Sequence, residues 1–192
     1  MGPGQWLFTK PLYGRILRFQ PIFPSTLVMT RRFYDRAGGF DEPLGRTLSE
    51  DLEFHLRCVQ DPPSAAVAKP VVGIRKHAAN FSGDPFKCEL GEIKILRYAL
   101  AHHRDAAIYQ DILNDEMVIR SASAAAVAFR HGDLALVREL LRAVPPSRRD
   151  SKLKIKAAIS GMPAGIARPL QALFTRQPAR PPDQSPQSSL GF

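Results

Sequence analysis

Leu52, Leu56 and Val59 fall at i, i+4 and i+7, and the run stops at Asp61-Pro62-Pro63. That pattern predicts a short helix with one buried face. Thr47 with Glu50 three residues later fits a capping box, and Ser49 offers a second cap, so the helix is expected to start at residues 47–49. On either side, residues 25–30 and 70–75 carry Val28, Val71, Val72 and Ile74 and have strand-like composition. The first 82 residues therefore read as mixed α/β. Beyond Gly83 the period becomes helical: Ile93, Leu96 and Leu100 mark one helix, Ile108 and Ile112 another, and the Ala-rich residues 117–129 a third. At Gly132-Asp133 a helix-ending glycine is followed by an N-cap residue, which predicts a tight hairpin into Leu134, Val137, Leu140 and Leu141. From residue 177 the chain is rich in Pro, Gln and Ser and cannot bury enough surface to order itself. Three regions follow: residues 1–82, a helical extension over 83–176, and a disordered tail over 177–192.

Charge changes this picture mainly at the C-terminal end. The net charge is +9, yet eight of the 27 basic residues and only two of the 18 acidic ones lie beyond residue 144. There Lys152, Lys154 and Lys156 alternate with Leu153, Ile155 and Ile159, and Ile166, Leu170 and Phe174 follow Pro163. A basic amphipathic segment fits peripheral contact with an anionic membrane face. It also fits a solvated helix docked on its neighbours, and prolines at 163 and 169 favour that second reading. Arg148, Arg149 and the lysines after them would be the phosphate contacts of a nucleic-acid binder. Phe174 is the one aromatic residue for stacking over residues 148–176 and no nucleic-acid motif occurs, so no nucleic-acid partner is expected.

The N-terminus lacks a basic segment followed by an apolar core, and no apolar run approaches the ~20 residues of a membrane span. Cys58 and Cys88 have no metal-type spacing and read as small hydrophobes in a reducing compartment. A cytoplasmic protein is expected, with any membrane contact at the inner face. His102 and His103 are neighbours about 100° apart on a helix, which predicts a solvated pair and not a shared ligand set.

The candidate chemistry lies in three separated segments: Gly38-Gly39-Phe40-Asp41-Glu42, then Glu50-Asp51 with Arg57 six residues on, then Arg75-x-His77-x-x-Asn80-x-Ser82. Glu50 and Asp51 sit in a first helical turn, where unpaired N–H groups and the positive end of the dipole favour ionised carboxylates. Read by themselves they are helix stabilisers. The glycines permit positive backbone dihedrals, Phe40 reads as core, and Asn80 with Ser82 forms a polar loop.

In this order the segments resemble the C-terminal half of the catalytic domain of family 2 glycosyltransferases, over roughly residues 20–82. The resemblance implies an α/β fold, a partial GT-A domain, followed by the α-helical C-terminal region. It implies inverting transfer of a sugar from a nucleotide-sugar donor to the hydroxyl of a glycan or lipid-linked acceptor. Asp51 would be the general base, with Glu50 beside it. His77 would approach the donor diphosphate or its Mn2+ or Mg2+, a role an imidazole can fill. Arg57 and Asn80 would touch substrate. No Asp-x-Asp tripeptide is present, and only about twenty residues precede the matching region. The nucleotide-binding half is thus expected to be missing, and the chain alone is expected to be inactive. A noncatalytic helical interaction module is the competing class; it accounts for residues 83–176 and leaves the motif order before residue 82 unexplained.

Overall fold

The computed structural model describes residues 2–19, 22–45, 49–73, 75 and 84–175. Of these, 62% are helical and 5% are in strands, and the one sheet has two strands. The expected α/β GT-A fold is therefore overturned. Strand β1 (Gln5–Phe8) pairs antiparallel with β2 (Ser64–Val67), Gln5 opposite Val67 and Phe8 opposite Ser64. Neither is where strands were expected. Residues 27–30 are irregular after a turn of 3-10 helix at Pro24–Thr26, and residues 70–73 are also irregular. Val28 is 93% exposed and Val71 72%. A β-branched residue favours a strand when a pleated neighbour covers it, and here none does.

The helices are α1 (Tyr13–Arg18), α2 (Arg31–Ala37), α3 (Glu50–Cys58), α4 (Pro85–His102), α5 (Gln110–Arg130), α6 (Leu134–Leu141), α7 (Ser151–Ser160) and α8 (Ala164–Thr175). Their starts follow their capping residues. Asp84 accepts from the Phe86 and Lys87 N–H groups, and Pro85 takes the first position of α4. Asp133 accepts from the Leu136 N–H at 2.9 Å after Gly132 at φ 78°, as the Gly-Asp pair predicts. Asp150 caps α7 through the Leu153 N–H. The expected break between residues 112 and 117 is absent, and α5 runs unbroken for 21 residues, with Ile108 in the turn before it. Pro163 separates α7 from α8, whereas Pro169 is accommodated inside α8. Pro169 leaves the carbonyl four residues back without its donor, and that residue, Gly165, is exposed to water.

Two cores share α4 and α5. The first gathers Tyr13, Ile16 and Leu17 of α1, Leu52 and Leu56 of α3, Leu96 of α4 and Leu113 of α5. The second gathers Ile93 of α4, Phe129 of α5, Val137, Leu140 and Leu141 of α6, Leu153 of α7 and Ala167 of α8. Ala124, Ala125 and Ala128 line α5 where α6 packs, and such small side chains allow two helices to approach closely. Arg120 of α5 fastens the first core from outside: it donates to Glu92 on α4 at 2.6 Å and to the Leu17 carbonyl at the end of α1 at 3.0 Å.

Candidate functional site

The 3.6-residue period divides α3 into faces with different chemistry. Leu52 and Leu56 go to the core. Glu53 and Arg57, at i and i+4, share a second face, and Asp51 and His55, about 200° away from Glu53, share a third. Helix α3 starts at Ser49 without a side-chain cap, and the Ser49 hydroxyl instead donates to the Cys88 carbonyl on α4 at 3.1 Å. Thr47, the other cap expected from the sequence, lies outside the described residues.

On the Glu53 face the carboxylate is buried, with a side chain 1% exposed, and accepts three hydrogen bonds. Arg57 supplies two, from Nε at 2.5 Å and Nη2 at 2.8 Å, and His103 Nε2 supplies the third at 3.2 Å. An ionised carboxylate only accepts, so His103 carries a proton on Nε2. In its neutral form its Nδ1 then accepts from the Tyr13 hydroxyl, 2.7 Å away. Burial pushes the Glu53 carboxyl up, and the bonds and charges of His103 and Arg57 outweigh it, holding the group below the usual carboxylate range. Burial first, then the negative charges of Asp105 and Glu53, push the Tyr13 phenol well above its ordinary value. The chain Tyr13–His103–Glu53–Arg57 is thus a satisfied, ionised network joining α1, α3 and the end of α4.

Arg57 extends that network to the glycine turn. Its remaining donors reach the Ala37 carbonyl and, at 2.6 Å, the Gly39 carbonyl. Gly38 and Gly39 have φ of 84° and 66°, dihedrals that a side chain would resist. Phe40 lies tilted against Phe54 of α3 with ring centroids 4.7 Å apart and is 46% exposed, so it lies at the rim and not in the core. Next to the turn, Asp41 accepts from the Tyr98 hydroxyl, and the Tyr98 ring stacks on His102 at 4.1 Å. A cavity of about 500 Å³ opens among these groups, walled by Phe40, Asp41 and Glu42 on one side and by Arg57, Tyr98 and His103 on the other.

The acidic pair sits at the opening turn of the same helix. Burial pushes the Asp51 carboxyl above the usual range; the His55 charge and the Leu52 N–H, which donates to it at 2.9 Å, act in the opposite direction. His55 is fully buried and burial lowers its pKa, with Asp51 opposing. Both His55 ring nitrogens and Glu50 Oε2 are buried without a hydrogen-bond partner among the described residues. Such orphaned groups are uncommon in folded proteins.

Of the residues expected from sequence, Arg57 lines the cavity, and Glu50 and Asp51 do not. His77 and Asn80 lie outside the described residues, as do Arg176 and the tail expected over 177–192. Among the described residues no group of three or more His, Cys, Asp or Glu side chains could hold a metal ion, and His77, which the resemblance implies as the metal-side residue, lies outside them. The solvated His102–His103 pair is half corrected. His102 is exposed, but His103, which caps α4 and still donates its N–H to the Ala99 carbonyl, lies about 100° round the helix and points its ring into the buried network. Sequence reasoning also passed over Glu53, whose i, i+4 spacing to Arg57 was the available signal, and Tyr13 and Tyr98, which carried none. Compared with known proteins, the chain matches no family model, no curated protein and no solved structure.

Proposed function

We propose that the chain acts on a saccharide acceptor, with Asp51 as the base of an inverting sugar transfer from a nucleotide-sugar donor and Glu50 beside it. Arg57 is the observation that carries this reading. It bonds to Glu53 on its own helix and to the carbonyls of Ala37 and Gly39, so the helix opening with Glu50-Asp51 and the Gly38-Gly39 turn form one rigid unit. Two of the three segments that resemble the glycosyltransferase family are thereby locked together, and rigid placement is what a general base requires.

In the displacement, the Asp51 carboxylate takes the proton of the acceptor hydroxyl as that oxygen bonds to the anomeric carbon, and the bond from that carbon to the diphosphate oxygen breaks. Burial makes the Asp51 carboxylate more basic than an exposed one, which brings it closer to the pH at which it must accept a proton. The cavity opens on the Glu53 face of α3, away from Asp51, so it supports the substrate class as a subsite for a saccharide and not as the place of proton transfer. Its Phe40 and Tyr98 rings offer apolar faces to sugar C–H groups, and Asp41 and Glu42 offer acceptors to hydroxyls.

Saturation-transfer NMR with a panel of mono- and oligosaccharides tests this on the chain itself. Weak binding, in the millimolar range, is expected for at least one saccharide, with loss of signal in Tyr98→Ala and an unchanged far-ultraviolet spectrum. Absence of transfer to every saccharide, or transfer that Tyr98→Ala leaves intact, would remove the cavity as a saccharide subsite.

A further inference from the structure

Helix α8 is built the wrong way round for a helix that serves only the core. Ala167 is its one buried residue, while Ile166, Leu173 and Phe174 are 55%, 62% and 58% exposed. At 100° per residue, Ile166, Pro169 and Leu173 fall within about 60° of one another and make a single stripe. That stripe points away from Ala167 and from Gln171, whose Nε2 anchors the helix to the Phe129 carbonyl at 2.8 Å. By contrast α6, of comparable amphipathicity, turns Val137, Leu140 and Leu141 inward. An outward apolar stripe costs solubility and needs a cover.

The charge around it identifies the cover. From residue 151 to residue 175 there is no Asp or Glu, and Lys152 and Lys154 are exposed, as is Arg168 on the other side of α8 from the stripe. Ile155, next to Lys154, and Met162, at the turn into α8, are exposed as well. We propose that α7 and α8 form a docking surface for an anionic lipid bilayer, the α8 stripe entering the boundary between headgroups and acyl chains and the lysines lying against lipid phosphates. No helix among the described residues is long and apolar enough to cross a membrane, so this contact lies along the surface. A second copy of the chain is a poorer cover, because a self-complementary interface over α7 and α8 would bring like charges from Lys152 and Lys154 together with no Asp or Glu to offset them. Nucleic acid is poorer too, since aliphatic side chains offer no stacking platform. The inference stands apart from the sugar-transfer reading and uses none of its residues.

Co-sedimentation of the full chain with phosphatidylcholine vesicles, and with vesicles of phosphatidylcholine and phosphatidylglycerol, tests it. The chain should pellet with the anionic vesicles and stay in solution with the neutral ones. The pair Ile166→Ser with Leu173→Ser should lower partitioning at least ~10-fold, and so should Lys152→Glu with Lys154→Glu. All four positions are exposed, and thermal melts matching the parent's show that folding is untouched. No pelleting with anionic vesicles overturns the proposal, and so does pelleting that the serine variants leave unchanged. Sedimentation velocity completes the test: a dimer that Leu173→Ser dissociates, with no vesicle binding, assigns the stripe to a second copy. Salt-sensitive RNA binding that needs the lysines but not Ile166 and Leu173, again with no vesicle binding, assigns the surface to nucleic acid.

Discussion

Glu53→Ala removes the hub of the buried network, and the structure sets the size of the effect. The lost carboxylate accepts two bonds from Arg57 and one from His103, side chains that are 22% and 2% exposed. Removing one partner of a buried ion pair costs about 3–5 kcal/mol. Arg57 keeps its bonds to the Ala37 and Gly39 carbonyls, so the lower end applies, about 3 kcal/mol. His103 Nε2–H, by contrast, is left buried without an acceptor. Glu53→Gln keeps one acceptor oxygen but loses the charge, which is worth about 1.5–3 kcal/mol.

The pH dependence of this loss follows from the direction of the Glu53 shift. Its folded pKa lies below the unfolded one, so its stabilisation is fully present above the unfolded value of about 4.3 and disappears as pH falls through the folded pKa. The gap between parent and Glu53→Gln should therefore be constant near neutrality and close in acid, below about pH 4. Urea unfolding followed by helical circular dichroism, stepped down from neutral pH, measures both quantities. A Glu53→Ala variant within about 1 kcal/mol of the parent would mean that the pair is no better than a solvated one, and the network would have to be abandoned as the clamp of α3.

Three further outcomes are open to measurement. Asp51→Asn, assayed with a nucleotide-sugar-binding unit supplied in cis, should lower transfer by about 10²–10⁴ while changing stability by only about 0.3–1 kcal/mol; parent-like turnover would remove Asp51 as the base. Gly39→Ala should destabilise by about 1–2 kcal/mol, because φ is +66° and the new Cβ would stand 2.8 Å from the Tyr34 hydroxyl, and an undiminished melting temperature would show that the turn relaxes freely. In hydrogen exchange the amides of β1 and β2 should be weakly protected, since a lone two-stranded ribbon with Trp6, Leu7 and Val67 exposed is marginal, while those around Leu113 and Phe129 should exchange most slowly. Equal protection in both places would contradict the two-core description.

The helices beyond residue 83 were legible because local signals decide them. Asp84, Asp133 and Asp150 each accept from the helix they open, and Gly132 takes the left-handed dihedral that its position predicts. The break expected between Ile112 and Met117 failed for a local reason too: nothing in Leu113-Asn114-Asp115-Glu116 stops a helix, so an apparent change of pattern was no boundary. Strands could not be read this way. Val28 and Val72 have the composition, but a strand exists only when a distant segment pairs with it, and the pairs that form are Gln5 with Val67 and Phe8 with Ser64. Neither segment has a long β-branched run, so composition pointed elsewhere.

The same division between local and distant information governs the site. The i, i+4 spacing of Glu53 and Arg57 is a local fact and predicts their pairing. It does not predict that the other guanidinium donors reach 20 and 18 residues back, to Ala37 and Gly39, because that reach depends on how α2 and the glycine turn pack on α3. His103 is a sharper case. Its N–H still completes the last turn of α4, so its ring keeps a helical placement about 100° round from His102. The local pattern does not say which of the two faces inward; the packing of α4 on α3 turns His103 to Glu53 and Tyr13, 50 and 90 residues away in sequence. The helix that carries Glu50, Asp51 and Arg57 was legible because it is specified locally. The groups that hold that helix in place came from α1 and α4, and only the assembled cores bring them there.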